Sequence, residues 1–213
     1  MLHYIKIEKQ ILTGIHTTCL DVLNISRKFD GNSMPECLLT LNIAKAIGKL
    51  NYNYGVPYIV DYYKQDNPGW MGVSTNQLKS KSLFTYIKTR LVNPSKNRLE
   101  SDLLKLSQML KDSERLGMPK IKNVYFASIL YDENLSNLAD AKKNLDKEYE
   151  KYSQWIKSIL KREKIIHSLE VVPIHGPLLL AVDQKFSKDT SFFDIPYQTT
   201  YFAGLIVKLS KNK

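Results

Sequence analysis

Acidic residues are missing from the middle of this chain. Between Asn67 and Leu99 there is no Asp or Glu. Other absences narrow the possibilities further. No apolar run approaches the ~20 residues that a membrane-spanning helix needs, so a spanning helix is excluded. The first residues, MLHYIKIEKQ, carry charge too early for a secretory signal, and the expected location is the cytoplasm. Two cysteines, Cys19 and Cys37, make neither a disulfide framework nor a zinc knuckle. Both lie in apolar helical stretches and are expected to be buried thiols. The four histidines, His3, His16, His167 and His175, are scattered without metal-ligand spacing. There is no glycine loop to cradle a phosphate and no G-x-S-x-G elbow, which argues against P-loop and α/β-hydrolase chemistry. No repeat, low-complexity tract or linker divides the 213 residues. One α/β domain is expected.

What the chain does have is positive charge. Lys and Arg number 31 against 21 Asp and Glu, a net +10. An excess of this size fits an anionic partner, with DNA foremost and RNA as an alternative. The acid-free window holds Lys79, Lys81, Lys88, Arg90, Lys96 and Arg98, which makes it the candidate phosphate-facing surface. Thirteen tyrosines offer rings for stacking or for core filling. Trp70 and Trp155 read as core or interface residues.

Periodicity places the elements. Tyr4, Ile7, Ile11, Ile15 and Cys19 recur at helical spacing and predict a helix over 3–25. In SMPE, Ser33 caps a second helix, Pro35 suits its first turn and Glu36 completes a capping box. Leu39, Ile43 and Ile47 line its apolar face. GVPYIVDYY predicts a strand, and WMGVST and SLFTYIKTRLV predict a hairpin. A helix over 97–115 carries Leu99, Leu103, Leu106 and Leu110 on one side. KNVYFASILYD is a buried strand. Residues 134–164 form a long charged helix, with Leu138, Leu145, Tyr149, Tyr152, Ile156 and Ile159 inward. It is expected to pack on its own sheet, with a dimerisation arm as the alternative. Strands near 167–173, 177–185 and 199–209 complete the chain.

The order helix, strand, hairpin, helix, strand over residues 33–132 resembles the PD-(D/E)XK, or restriction-endonuclease-like, nuclease fold. NRLESDLLKLSQMLKDSERLGMPKIKNVYFASILYDE is similar to the segment after that family's catalytic strand. PECLLTLNIAKAIGKL is similar to its opening helix, whose Glu sits near the metal site. The resemblance implies a mixed central sheet flanked by helices, here with a long helix and strands added over 134–213. It also implies phosphodiester cleavage with Mg²⁺ or Mn²⁺. In that chemistry a hard cation on two carboxylates polarises the phosphate and supplies hydroxide. A Lys two residues after the second carboxylate shares its strand face and assists.

The motif departs from the pattern at both carboxylates. Lys88 matches the Lys, but Tyr86 stands where the family has an acid, and WMGVST offers only Ser74 and Thr75. Phe84, Tyr86, Lys88 and Arg90 share a face by alternation. Glu36 and Asp61 are the carboxylates left to hold a metal ion if they converge. A second spacing, Glu170 followed by Asp183-x-Lys185, fits acid…acid-x-Lys if the HGP turn pairs the flanking strands. Three functions stay open. One is a catalytically degenerate nucleic-acid-binding protein, working with a partner subunit or as a homodimer in a restriction or phage-defence system. Another is an active metal-dependent endonuclease with a relocated site. The last is a basic subunit of an assembly without nucleic-acid chemistry. If the hairpin cations face phosphates, removing Lys88 or Arg90 should weaken DNA binding and flatten its salt dependence.

Overall fold

Alternating apolar residues along three strands decide the architecture. The computed structural model describes residues 7–26, 36–54, 58–62, 72–77, 84–112, 121–132, 138–163, 166–173, 179–182 and 197–210. They form, in order, α1 (Ile7–Ser26), α2 (Glu36–Tyr54), β1 (Tyr58–Tyr62), β2 (Gly72–Gln77), β3 (Phe84–Val92), α3 (Lys96–Asp112) and β4 (Ile121–Asp132). Then come α4 (Leu138–Glu163), β5 (Ile166–Pro173), β6 (Leu179–Val182) and β7 (Tyr197–Ser210). The mixed sheet runs β1-β2-β3-β4-β7-β5, with β6 also on β7. β1, β2 and β3 are an antiparallel meander. β3 and β4 are parallel, which requires the crossover that α3 provides. β7 lies antiparallel to both β4 and β5.

β4 and β7 are buried on both faces, as near-continuous apolar strands must be when helices cover both sides of a sheet. Ile87, Tyr125, Ala127, Ile129 and Ile206 pack with Ile11, Ile15 and Cys19 of α1 and Leu39, Ile43 and Ile47 of α2. The alternate residues Tyr86, Val124, Phe126, Leu205, Val207 and Leu209 pack on the other face. There they meet Leu99, Leu103, Leu106 and Leu110 of α3 and Tyr152, Ile156 and Ile159 of α4. The result is a three-layer α/β/α arrangement, and α4 packs on its own sheet. The apolar stripes expected of the four helices face the core, fully buried over Ile11–Cys19, Leu39–Ile47, Leu99–Leu110 and Tyr152–Ile159, while Ile7, Leu145 and Tyr149 are only partly covered. Tyr4 and the candidate cap Ser33 lie outside the described residues.

α1 and α2 cross at Gly14. A Cβ there would stand 2.6 Å from the Cα of Ile43, so only glycine allows this approach. Asn42 of α2 donates to Thr18 Oγ1 at 3.1 Å and to Asp21 Oδ2 at 2.8 Å, adding a polar clasp between the two helices. Cys19 is buried, as expected, but Cys37 is exposed. The reason is rotational: Cys37 shares a stripe with Leu41 and Lys45, four and eight residues on, which also face solvent.

The strands after α4 differ from the expected hairpin. β5 and β6 do not pair with each other across the HGP segment. Both pair antiparallel with β7, β5 along Ala203–Ser210 and β6 along Tyr197–Thr200. They therefore follow one another along the same neighbour.

Candidate functional site

β3 carries the residues on which the functional reading turns, and its two faces meet different helices. Ile87 and Thr89 face α1 and α2. Thr89 and Thr40 of α2 share a hydroxyl–hydroxyl hydrogen bond of 2.6 Å. Tyr86, Lys88 and Arg90 face α3 and α4.

Tyr86 is completely buried, in the same cluster as Leu99, Leu103 and Phe126. Across the sheet the register places Asp61 of β1, Ser74 of β2, Tyr86 of β3 and Val124 of β4 in one row. The position beside Tyr86 on the hairpin is thus Ser74, and the row's only acid is two strands away. At the usual strand spacing its Cα lies about 10 Å from that of Tyr86. Glu36 opens α2, which covers the opposite side of the sheet. The side chains of Glu36 and Asp61 lie outside the described ones.

Lys88 is 3% exposed. It lies between Gly72 of β2 and Phe126 of β4 in the register. Arg90 is turned onto α3, where Nη2 donates to Asp102 Oδ1 at 3.0 Å and Nε donates to Oδ2. The Asp102 side chain is 1% exposed and that of Arg90 23%. This bidentate pair occupies both carboxylate oxygens, the geometry in which guanidinium and carboxylate match best. The sequence reading of Lys88 and Arg90 as phosphate-facing cations is therefore corrected. One is enclosed by the sheet and its helices, and the other is committed to a buried acid. Lys96 and Arg98, by contrast, are exposed at the start of α3. Lys79 and Lys81 lie outside the described residues.

The end of β3 is anchored from three sides. Asn93 has φ 44°, a left-handed conformation that Asn tolerates, and its amide donates to Ile129 O at 2.9 Å. The Tyr152 hydroxyl of α4 donates to Pro94 O at 2.8 Å. Burial, and then the charge of Glu148, push the Tyr152 phenol above its usual range, so it stays a donor. The Leu99 amide donates to Ser95 O at 2.9 Å, the first turn of α3. These bonds hold α3 in the position that brings Asp102 over Arg90.

For the second candidate spacing only the flanking strands are described, and they do not pair with each other. Glu170 pairs with Ile206, and Val182, the last described residue of β6, pairs with Tyr197. Those partners are nine residues apart on β7, roughly 30 Å at extended rise. Asp183 and Lys185 lie outside the described residues, as does His175. Among the described residues no three His, Cys, Asp or Glu side chains converge as metal ligands would.

Asp102 is the site residue that sequence reading missed. Its signal was present: an acid three residues after Leu99 and one before Leu103, within an apolar stripe, has to be paired. A second polar contact lies on the other sheet face, where Glu8 Oε1 of α1 accepts from Tyr125 Oη and from Lys208 Nζ, both at 3.0 Å. Burial alone would raise the Glu8 carboxyl. The hydrogen bonds from its own backbone, Lys208 and Tyr125, with the Lys208 charge, outweigh that and hold it below its usual value.

Compared with protein-family models, curated proteins and solved structures, the chain matches none of them. No described helix is long and apolar enough to cross a membrane.

Proposed function

We propose that this chain is a nucleic-acid-binding protein on a restriction-endonuclease-like core that has given up metal-dependent cleavage. The observation that carries the reading is the burial of Tyr86. At the position where the resembled family places a metal-binding acid, an aromatic ring fills the core between β3, β4 and α3. Its hairpin neighbour in the register is Ser74. Neither can supply an anionic oxygen to a hard cation at neutral pH.

The topology supports the same reading. Within residues 36–132 a helix leads into a three-stranded antiparallel meander, and a second helix then crosses to a parallel strand. That is the order the resemblance implies. The charge supports binding: the chain is +10, and Lys96 and Arg98 stand exposed where the acid-free window enters α3.

The test is binding of a fluorescein-labelled 25-base-pair duplex in EDTA, followed by anisotropy as salt is raised. Metal-independent binding that weakens steeply with salt is the expected result. No binding at 50 mM salt would overturn the proposal.

A further inference from the structure

None of the described exposed residues of α3 is acidic, and its first turn carries cations. On α3, Arg98, Ser101, Lys105 and Gln108 are all exposed. Their three- and four-residue steps put them on one stripe. From Arg98 to Gln108 the stripe runs about 15 Å along the helix. Every member can donate a hydrogen bond, and none is acidic. Lys96 and Lys111 extend the cationic character to the two ends. Of the helix's three acids, Glu100 is half-buried, Asp102 is turned under the helix onto Arg90, and Asp112 is its last residue, four positions beyond Gln108. On α4 the exposed residues Lys143, Asp146, Lys147 and Glu150 alternate in sign, and the acid-free Gln154, Lys157, Ser158 and Lys161 lie toward the C-terminal end, where the helix dipole favours cations. That is an ordinary solvated face.

The first turn of α3 holds Lys96 and Arg98 and no acid. The helix dipole disfavours cations there. Charges placed against the dipole cost the isolated helix stability, and an anion lying along the stripe would relieve that cost.

We propose that this stripe of α3 is the surface that follows the phosphate backbone of duplex DNA, which rests on the nucleic-acid reading above. Arg, Lys, Ser and Gln side chains are the groups that position a protein on phosphates. The stripe carries no aromatic residue, so it lacks the stacking platform that single-strand recognition uses. The helix is fixed in place by its own packing and by Arg90–Asp102, so the donors are presented without a folding cost.

The experiment compares three proteins on the labelled duplex between 50 and 300 mM salt: wild type, Arg98→Ala/Lys105→Ala, and the α4 control Lys143→Ala/Lys147→Ala. All four positions are exposed, so both variants should fold, as circular dichroism will verify. The α3 variant is expected to lower the log–log salt slope by about two units, one for each lost phosphate contact, and the α4 control to leave it unchanged. A wild-type slope in the α3 variant, or equal losses in both variants, would overturn the assignment to α3 while leaving nucleic-acid binding standing. Tighter binding of the corresponding single strand would overturn the duplex assignment. A wild-type protein that binds no DNA would remove both this inference and the reading it rests on.

Discussion

Arg90 on β3 and Asp102 on α3 form a two-pronged ion pair at the point where the strand hands over to its crossover helix. Asp102 is buried to 1% and Arg90 is only partly covered, so the two ends of the pair are not equivalent. Removing Arg90 strands a carboxylate in the core, whereas removing Asp102 leaves a guanidinium that can turn to water. Arg90→Ala is expected to cost about 3 kcal/mol, more than Asp102→Ala. Adding Asp102→Ala to Arg90→Ala should recover part of the loss, because the stranded charge is gone. Urea unfolding of the two single variants and the double variant gives the coupling. Simple additivity would mean that the pair does not act as a unit.

Tyr86 tests the other half of the same strand face. Tyr86→Phe keeps the ring and should stay within about 1.5 kcal/mol of wild type. Tyr86→Glu places an acid among Leu99, Leu103 and Phe126 and is expected to destabilise by several kcal/mol. Because Ser74 lies beside it, the Glu variant should not cut DNA in Mg²⁺. Thermal melts and plasmid nicking check the two statements separately. Cutting by the variant would show that a second carboxylate already stands in place.

Glu8 makes stability depend on acid. Its carboxyl is held below the usual 4.5 in the folded chain. A depressed folded value contributes stability that is present above the unfolded value and is lost as pH falls through the folded one. Glu8→Gln should therefore be less stable than wild type at pH 7, and the gap should close below about pH 4.5 as the wild-type carboxyl becomes protonated. Urea midpoints of both proteins from pH 7 to pH 3 read this directly. A constant gap across that range would mean that the carboxylate's charge is not what holds α1 to β4 and β7.

The two cysteines should be told apart by a thiol reagent. Burial pushes the Cys19 thiol up to about 12, while Cys37 is exposed. At pH 8 the native protein is expected to titrate rapidly with one equivalent of a disulfide reagent, and with two in denaturant. Fast reaction of both thiols in the native state would contradict the packing of α1 against the sheet.

Much of this fold was legible because its signals are local. The stripes Leu99–Leu110 and Tyr152–Ile159 repeat at helical spacing and are the faces buried against β4 and β7. The alternation Tyr86, Lys88, Arg90 correctly assigned one strand face. It could not say that α3 would cover that face, because the cover comes from a crossover to β4 rather than from the strand. So Lys88 read as a surface cation and is enclosed. The HGP segment read as a hairpin turn, because a turn signal says nothing about β7, which both flanking strands join instead. Asp102 was legible in principle, as the one acid inside an apolar stripe. Its partner, twelve residues earlier on another element, was not.

On the proposed function, Tyr86 has replaced catalysis with packing while the basic surface still binds. Incubating supercoiled plasmid with the purified protein in Mg²⁺, in Mn²⁺ and in EDTA, and resolving both mobility shift and nicking on one gel, tests it most directly. Retarded but intact plasmid in all three conditions is the expected result. Metal-dependent nicking that purified protein retains, and that EDTA abolishes, would contradict it and turn the search to Asp61 and Asp183.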